Sequence, residues 1–259
     1  MTLEGLDVSI LGPAMAAGVI VLATHVPLGR QVLARGIIFI DLAIAQIAAM
    51  GVIAAQFLGV EEHGAGVQIA AAVAALAGAA LLAWTDRRWP KMQEPFIGTL
   101  FVLAATGGLL LLANNPQGGE HLKDLLVGQI LWVSYRQLVP AALLSLLLLA
   151  IMWLRGGRLA GVLFYALFAL AITVSVQLVG VYLVFASLIV PALATSGMTG
   201  KRQLVAAYSV GIAGYLSGLV LSAVFDLPSG AMIVWTLAAC ALLAQLLPGL
   251  RKPGPQAVQ

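Results

Sequence analysis

Ile37-Ile-Phe-Ile-Asp41-Leu-Ala-Ile-Ala-Gln46-Ile-Ala-Ala-Met-Gly51-Val-Ile-Ala-Ala-Gln56-Phe-Leu58 decides the fold class. Its only ionisable side chain is Asp41. A run of about 20 apolar residues is what a helix needs to cross the hydrocarbon core of a bilayer. Backbone amides in lipid must be satisfied within the segment, so such a run is helical. A transmembrane β-strand would show alternating stretches of about 10 residues, and this stretch does not alternate.

The rest of the chain repeats the pattern. Of its 259 residues, 62% are hydrophobic and 9% are charged, against about 25% charged in a soluble domain. There is too little polar surface to clothe a soluble globule. The reading is all-α: a polytopic transmembrane helical bundle of about 8–9 spans. The spans are Val8–His25, Ile37–Leu58, Val67–Trp84, Phe96–Ala113, Leu138–Leu154, Leu159–Leu178, Val179–Gly197, Leu204–Phe225 and Gly230–Leu247. The pair around Gly180 reads either as two tightly joined helices or as one span plus a broken segment. Residues 1–247 form one transmembrane domain, and 248–259 a short tail with Pro253 and Pro255. The acidic start, with Glu4 and Asp7, does not resemble the basic beginning of a secretory signal. Cys240 is the single cysteine, which excludes a disulfide within the chain.

Basic residues collect on the cytoplasmic side of membrane proteins. Arg30 and Arg35 follow span one. Arg87, Arg88 and Lys91 follow span three, Arg155 and Arg158 span five, Lys201 and Arg202 span seven, and Arg251 and Lys252 span nine. With nine spans, all five clusters share one side. The other side carries Glu4, Asp7, Glu61, Glu62, Glu120, Asp124 and Asp226, with Lys123 and Arg136 as its only cations. This predicts a multi-pass protein with its N-terminus outside and its C-terminus inside. Between Asn114 and Gln137, Asn, Pro and Gly mark a turn. The stretch from Asp124 to Ser134 then reads as a short interfacial helix.

Asp41 is the first candidate for chemistry. An ionisable group within a membrane helix costs about 2.5–3.5 kcal/mol on insertion scales and marks a solute pathway or an ion pair. The alternative is pairing with Arg35, six residues away in the sequence. Gln46 and Gln177 lie within apolar runs, and each suits a pathway lining, a metal ligand through its carbonyl oxygen, or an interhelical hydrogen bond. Pro191 frees a backbone carbonyl and bends its span, and such breaks recur at transport sites. His63 and His121, near Glu61, Glu62 and Glu120, form a weaker outer-loop metal candidate. His25 reads as interfacial. Small residues crowd spans two and three, which argues for close helix packing. No phosphate loop, paired catalytic carboxylates, Ser/His/Asp pattern or Cys/His cluster supports an enzyme, and no bound cofactor is expected.

Five stretches, in order, resemble the membrane permease subunits of metal-ion ABC importers of the zinc, manganese and iron type. The first runs from Leu28-Gly-Arg through Arg35-Gly to Phe39-Ile-Asp41. Phe96-Ile-Gly98-Thr-Leu-Phe is similar to the family's "IGILF" segment, and Asp124-Leu-Leu-Val-Gly128 to its "DLLFG". Gln177-Leu-Val-Gly180 through Pro191-Ala matches its "QLVG…PA" segment, and Asp226-Leu-Pro-Ser-Gly230-Ala its "DLPxGA". The resemblance implies a homodimeric pore in the bacterial inner membrane, an ATPase partner supplying ATP hydrolysis inside, and a solute-binding protein outside. It implies no nucleic-acid partner. A divalent metal ion or metal complex is the implied substrate, and Asp41 falls on the family's pathway acid. Two departures stand out. The family carries His four residues after that Asp, where this chain has Ala45. The family's ATPase-docking segment is reduced here to Arg155-Gly-Gly-Arg158, leaving Arg155 and Arg158 as coupling candidates. A non-transporting scaffold that kept the fold is the second reading, and a secondary carrier the third.

Overall fold

The computed structural model describes residues 8–60, 64–113, 126–128, 130–157 and 159–246. Within them the chain forms α1 (Val8–Arg35), α2 (Ile40–Phe57), α3 (Ala65–Arg88), α4 (Gln93–Leu112), α5 (Tyr135–Leu154), α6 (Gly161–Val179), α7 (Val181–Ala194), α8 (Gly200–Phe225) and α9 (Ser229–Leu246). Among the described residues, eight helices are long and apolar enough to cross a membrane. The exception is α7, with 14 residues. The all-helical bundle expected from the apolar runs is present.

The first expected span is corrected at its end. It does not stop near His25, because α1 runs on through Pro27 to Arg35. A proline within a helix removes the amide that would bond the carbonyl four residues earlier, here that of Ala23. The Tyr208 hydroxyl of α8 donates to that carbonyl at 2.9 Å. A neighbouring helix thus supplies what the proline withholds, and His25 is fully buried rather than interfacial. The ambiguity at Gly180 resolves into two helices. Gly180, at φ 80° and ψ 164°, ends α6 and opens α7.

Small side chains set the spacing of the helices, as their density in spans two and three implies. A Cβ on Gly51 would lie 2.5 Å from that of Ala74, so α2 and α3 touch almost backbone to backbone. Between α8 and α9, Gly214 and Gly218 lie against Leu237 and Ile233, and the Thr236 hydroxyl donates to the Gly214 carbonyl at 2.7 Å.

Cross-contacts fix which helix ends lie together. At one end, Arg35 reaches the Leu159 carbonyl, Gln93 reaches Tyr165 and Phe39 reaches Glu94. The last residues of α1, α3 and α5 therefore meet the first residues of α2, α4 and α6. Gly29 packs on the Leu188 carbonyl and Ala192, which brings the end of α7 to the same place. This basic end gathers Arg35, Arg87, Arg88, Lys91 and Arg155. At the opposite end, Gly128 touches Gly180, and Val127 touches Gly230. The short α7 therefore runs antiparallel to α6 and counts as a return toward the basic end. Of the interfacial stretch, Leu126 and Val127 are helical, and Ile130–Trp132 forms one 3-10 turn. Gly128, at φ 69°, lies between them.

Candidate functional site

The site is built at the basic end, where α2 begins. The first amides of a helix have no partner within it, and α2 receives no cap from its own Phe39 side chain. Glu94, in the first turn of α4, supplies one instead. Its Oε1 accepts the Phe39 amide at 3.3 Å. Asp41 lies in the first turn of α2, where the helix dipole favours an anion.

Asp41 is 1% exposed. Its carboxylate lies against the first amides of its own helix, those of Asp41 and Leu42, and neither it nor Glu94 Oε2 has a side-chain partner among the described residues. Arg35 does not pair with Asp41. It donates instead to the Leu159 carbonyl, and its guanidinium covers the Phe164 ring at 3.9 Å. Glu94 approaches this turn through the Phe39 amide, two residues before Asp41. Buried polar atoms are nearly always satisfied, and an orphaned buried carboxylate is costly unless it takes up a proton or a cation.

Farther along α2 lies a half-open cavity of about 560 Å³. Leu42 and Gln46 of α2, Phe101 of α4, and Tyr182, Phe185 and Val190 of α7 are among its walls. Gln46 and Tyr182 are the lining residues that carry a polar group. Asp41 is not among the lining residues. Phe185 stacks on Phe39 with ring centroids 6.4 Å apart, and this pair links the cavity wall to the turn that Glu94 caps.

The other candidates divide. Pro191 is buried in α7, one residue from the cavity wall. Gln177 is exposed near the end of α6 and does not line the cavity. Arg155 is exposed at the end of α5. His63, His121 and Arg158 lie outside the described residues. Among the described residues, no three His, Cys, Asp or Glu side chains cluster. The sequence reading missed Glu94. Its signal is an acid that closes an otherwise basic stretch after Arg87, Arg88 and Lys91.

The ABC 3 transport family matches residues 7–160 and 157–247 of this chain. A probable iron transport system membrane protein of Haemophilus influenzae is 31% identical over 156 residues, spanning 52% of this chain and 58% of that relative. The manganese transport system membrane protein MntC of Halalkalibacterium halodurans is 26% identical over 250 residues, covering 88% of this chain and 84% of that one. PsaBC from Streptococcus pneumoniae, solved in complex with Fab, shares the fold with a TM-score of 0.74 and 21% identity over 95% of each chain. With the family match running almost end to end over a bundle of this architecture, the chain belongs to the ABC 3 transport family.

Proposed function

We propose that this chain is the membrane permease subunit of an ABC importer that carries a divalent metal ion, zinc, manganese or iron, or a metal complex. The observation that carries the reading is the cavity walled by α2, α4 and α7, with Gln46 facing it and Asp41, buried and without a side-chain partner among the described residues, one residue from its wall. The names of the relatives, which speak of iron and manganese transport, support the choice of solute.

In this reading two copies form the route, an ATPase subunit binds at the basic end, and a solute-binding protein docks at the other. The basic end faces the cytoplasm of a bacterial inner membrane, following the preference of Lys and Arg for that side. The mostly apolar wall holds a passing ion weakly, which suits a route that must release its cargo. Proline within α7 lets that wall bend during opening.

The test is uptake of radioactive manganese, iron and zinc by cells expressing the whole transporter. Wild-type cells accumulate one of these ions, and Asp41→Ala abolishes the accumulation while the protein still inserts. Absence of uptake of any of the three by the wild type would sink this proposal.

A further inference from the structure

We infer that the turn between α3 and α4 binds an anionic phospholipid, with Arg88 and Lys91 holding its headgroup phosphate and Trp84, Trp89 and Phe96 its glycerol and upper acyl chain. The inference goes beyond the transport reading and needs only that the bundle crosses a bilayer.

The site grows from one face of α3. Ile69, Val73, Leu76, Ala80 and Trp84 follow one another three or four positions apart and are all exposed. That spacing places them on one side of the helix, and a side so apolar belongs against acyl chains. Arg88 comes one turn after Trp84, and it too is exposed. The stripe therefore ends in an aromatic ring and then a cation, the order in which a phospholipid passes from chain to headgroup.

An aromatic residue at the membrane surface is by itself an ordinary anchor. This corner adds a fixed geometry. The chain leaves α3 at Trp89 and makes one 3-10 turn, Pro90–Met92, before α4. Trp89 is held between the two helices. Its ring meets Trp84 edge-on at 5.3 Å and Phe96 of α4 at 5.6 Å. The Arg88 guanidinium stands over the Trp89 ring at 5.8 Å, and the ring face attracts it there. Lys91 is exposed on the same turn. Two cations thus sit on a ledge of rings whose Trp84 and Trp89 are half-exposed. The acids of this corner are engaged elsewhere. Asp86 is turned to the Tyr165 hydroxyl, and Glu94 caps the Phe39 amide. Arg87 lies near Gly161 at the start of α6. Arg88 and Lys91 remain for a charge from outside the chain, and basic positions at the cytoplasmic side of membrane helices bind anionic headgroups.

The experiment uses the full-length chain, purified in mild detergent with equal amounts of phosphatidylglycerol and phosphatidylcholine and read by native mass spectrometry. Wild-type chain retains phosphatidylglycerol in preference to phosphatidylcholine. Each Lys or Arg near an anionic lipid is worth about fivefold in binding, so Arg88→Gln with Lys91→Gln lowers the retained phosphatidylglycerol by roughly twentyfold. Lys201→Gln with Arg202→Gln removes the same charge at the start of α8 and leaves retention unchanged. A second measurement locates the lipid. In nanodiscs, phosphatidylglycerol brominated on its acyl chain quenches tryptophan emission more than brominated phosphatidylcholine does, and Trp84→Phe with Trp89→Phe removes the difference. No preference by the wild type, equal loss in both charge variants, or a quenching difference that survives in the tryptophan variant overturns the site. So does loss of an ATPase subunit, with lipid retained, from the Arg88 and Lys91 variant, which would assign the turn to that subunit.

Discussion

Gly128 and Gly180 meet backbone to backbone at the end of the bundle opposite the basic loops. A Cβ on Gly180 would lie 2.4 Å from the Gly128 nitrogen, and one on Gly128 would lie 2.3 Å from the Val179 carbonyl carbon. Both residues have positive φ, 69° and 80°. Alanine at either position therefore meets a steric clash and an unfavourable backbone region, the latter worth about 1–2 kcal/mol alone. Gly128→Ala and Gly180→Ala should each lower the thermal midpoint in detergent. The double variant should lose less than the sum, because both changes break one contact. Strict additivity would show that the two glycines act separately.

The Tyr208 hydroxyl stands in for the amide that Pro27 lacks. Tyr208→Phe should destabilise the fold by about 0.6 kcal/mol, the average for hydrogen bonds between membrane helices. In a Pro27→Ala background the restored amide at position 27 bonds Ala23, and the same change should then cost almost nothing. A double-mutant cycle by chemical unfolding measures the coupling. Equal costs in both backgrounds would refute the substitution of one donor for the other.

The end of α1 holds the short loop after α5. The Leu159 amide donates to Gln31 Oε1 at 2.9 Å, and its carbonyl accepts from Arg35. Both backbone groups of one loop residue are thus taken by a single helix. Gln31→Leu and Arg35→Ala should speed tryptic cleavage after Arg155 severalfold in detergent-solubilised protein. Unchanged cleavage would mean that the loop is held by other contacts.

Gln46 is the amide that reaches the cavity wall. Gln46→Leu should leave insertion and thermal stability close to wild type, because a lone membrane amide contributes little to packing. Metal uptake should fall several-fold, measured as initial rate at limiting ion. Full uptake by this variant would remove Gln46 from the route.

The architecture was legible because it follows from local composition. Apolar runs fixed α2 through α6, α8 and α9 to within a few residues, and Gly180 announced its break through its lack of a side chain and its place in a long run. What escaped was long-range. Pro27 reads as a stop from its own chemistry, and only a tyrosine 181 positions later explains why the helix continues. Asp41 was recognisable as unusual from its apolar neighbours. The acid that caps the start of its helix was not, because Glu94 belongs to another helix and sits among cations in the sequence. The pairing of Asp41 with Arg35 was plausible by proximity along the chain, yet Arg35 turns to α6 instead. Gln177 shows how little a polar residue in an apolar run says of its direction: near the end of α6 it is exposed on the single chain.

The length of α7 has a consequence for how the protein is made. Fourteen residues rise about 21 Å at 1.5 Å each, short of the roughly 30 Å hydrocarbon layer. A segment this short is a poor substrate for independent insertion as it leaves the ribosome. It needs a polar shelter for its first turn, and Gly128 with its neighbours provides one. Those residues precede α7 by about fifty positions, so they leave the ribosome before it does.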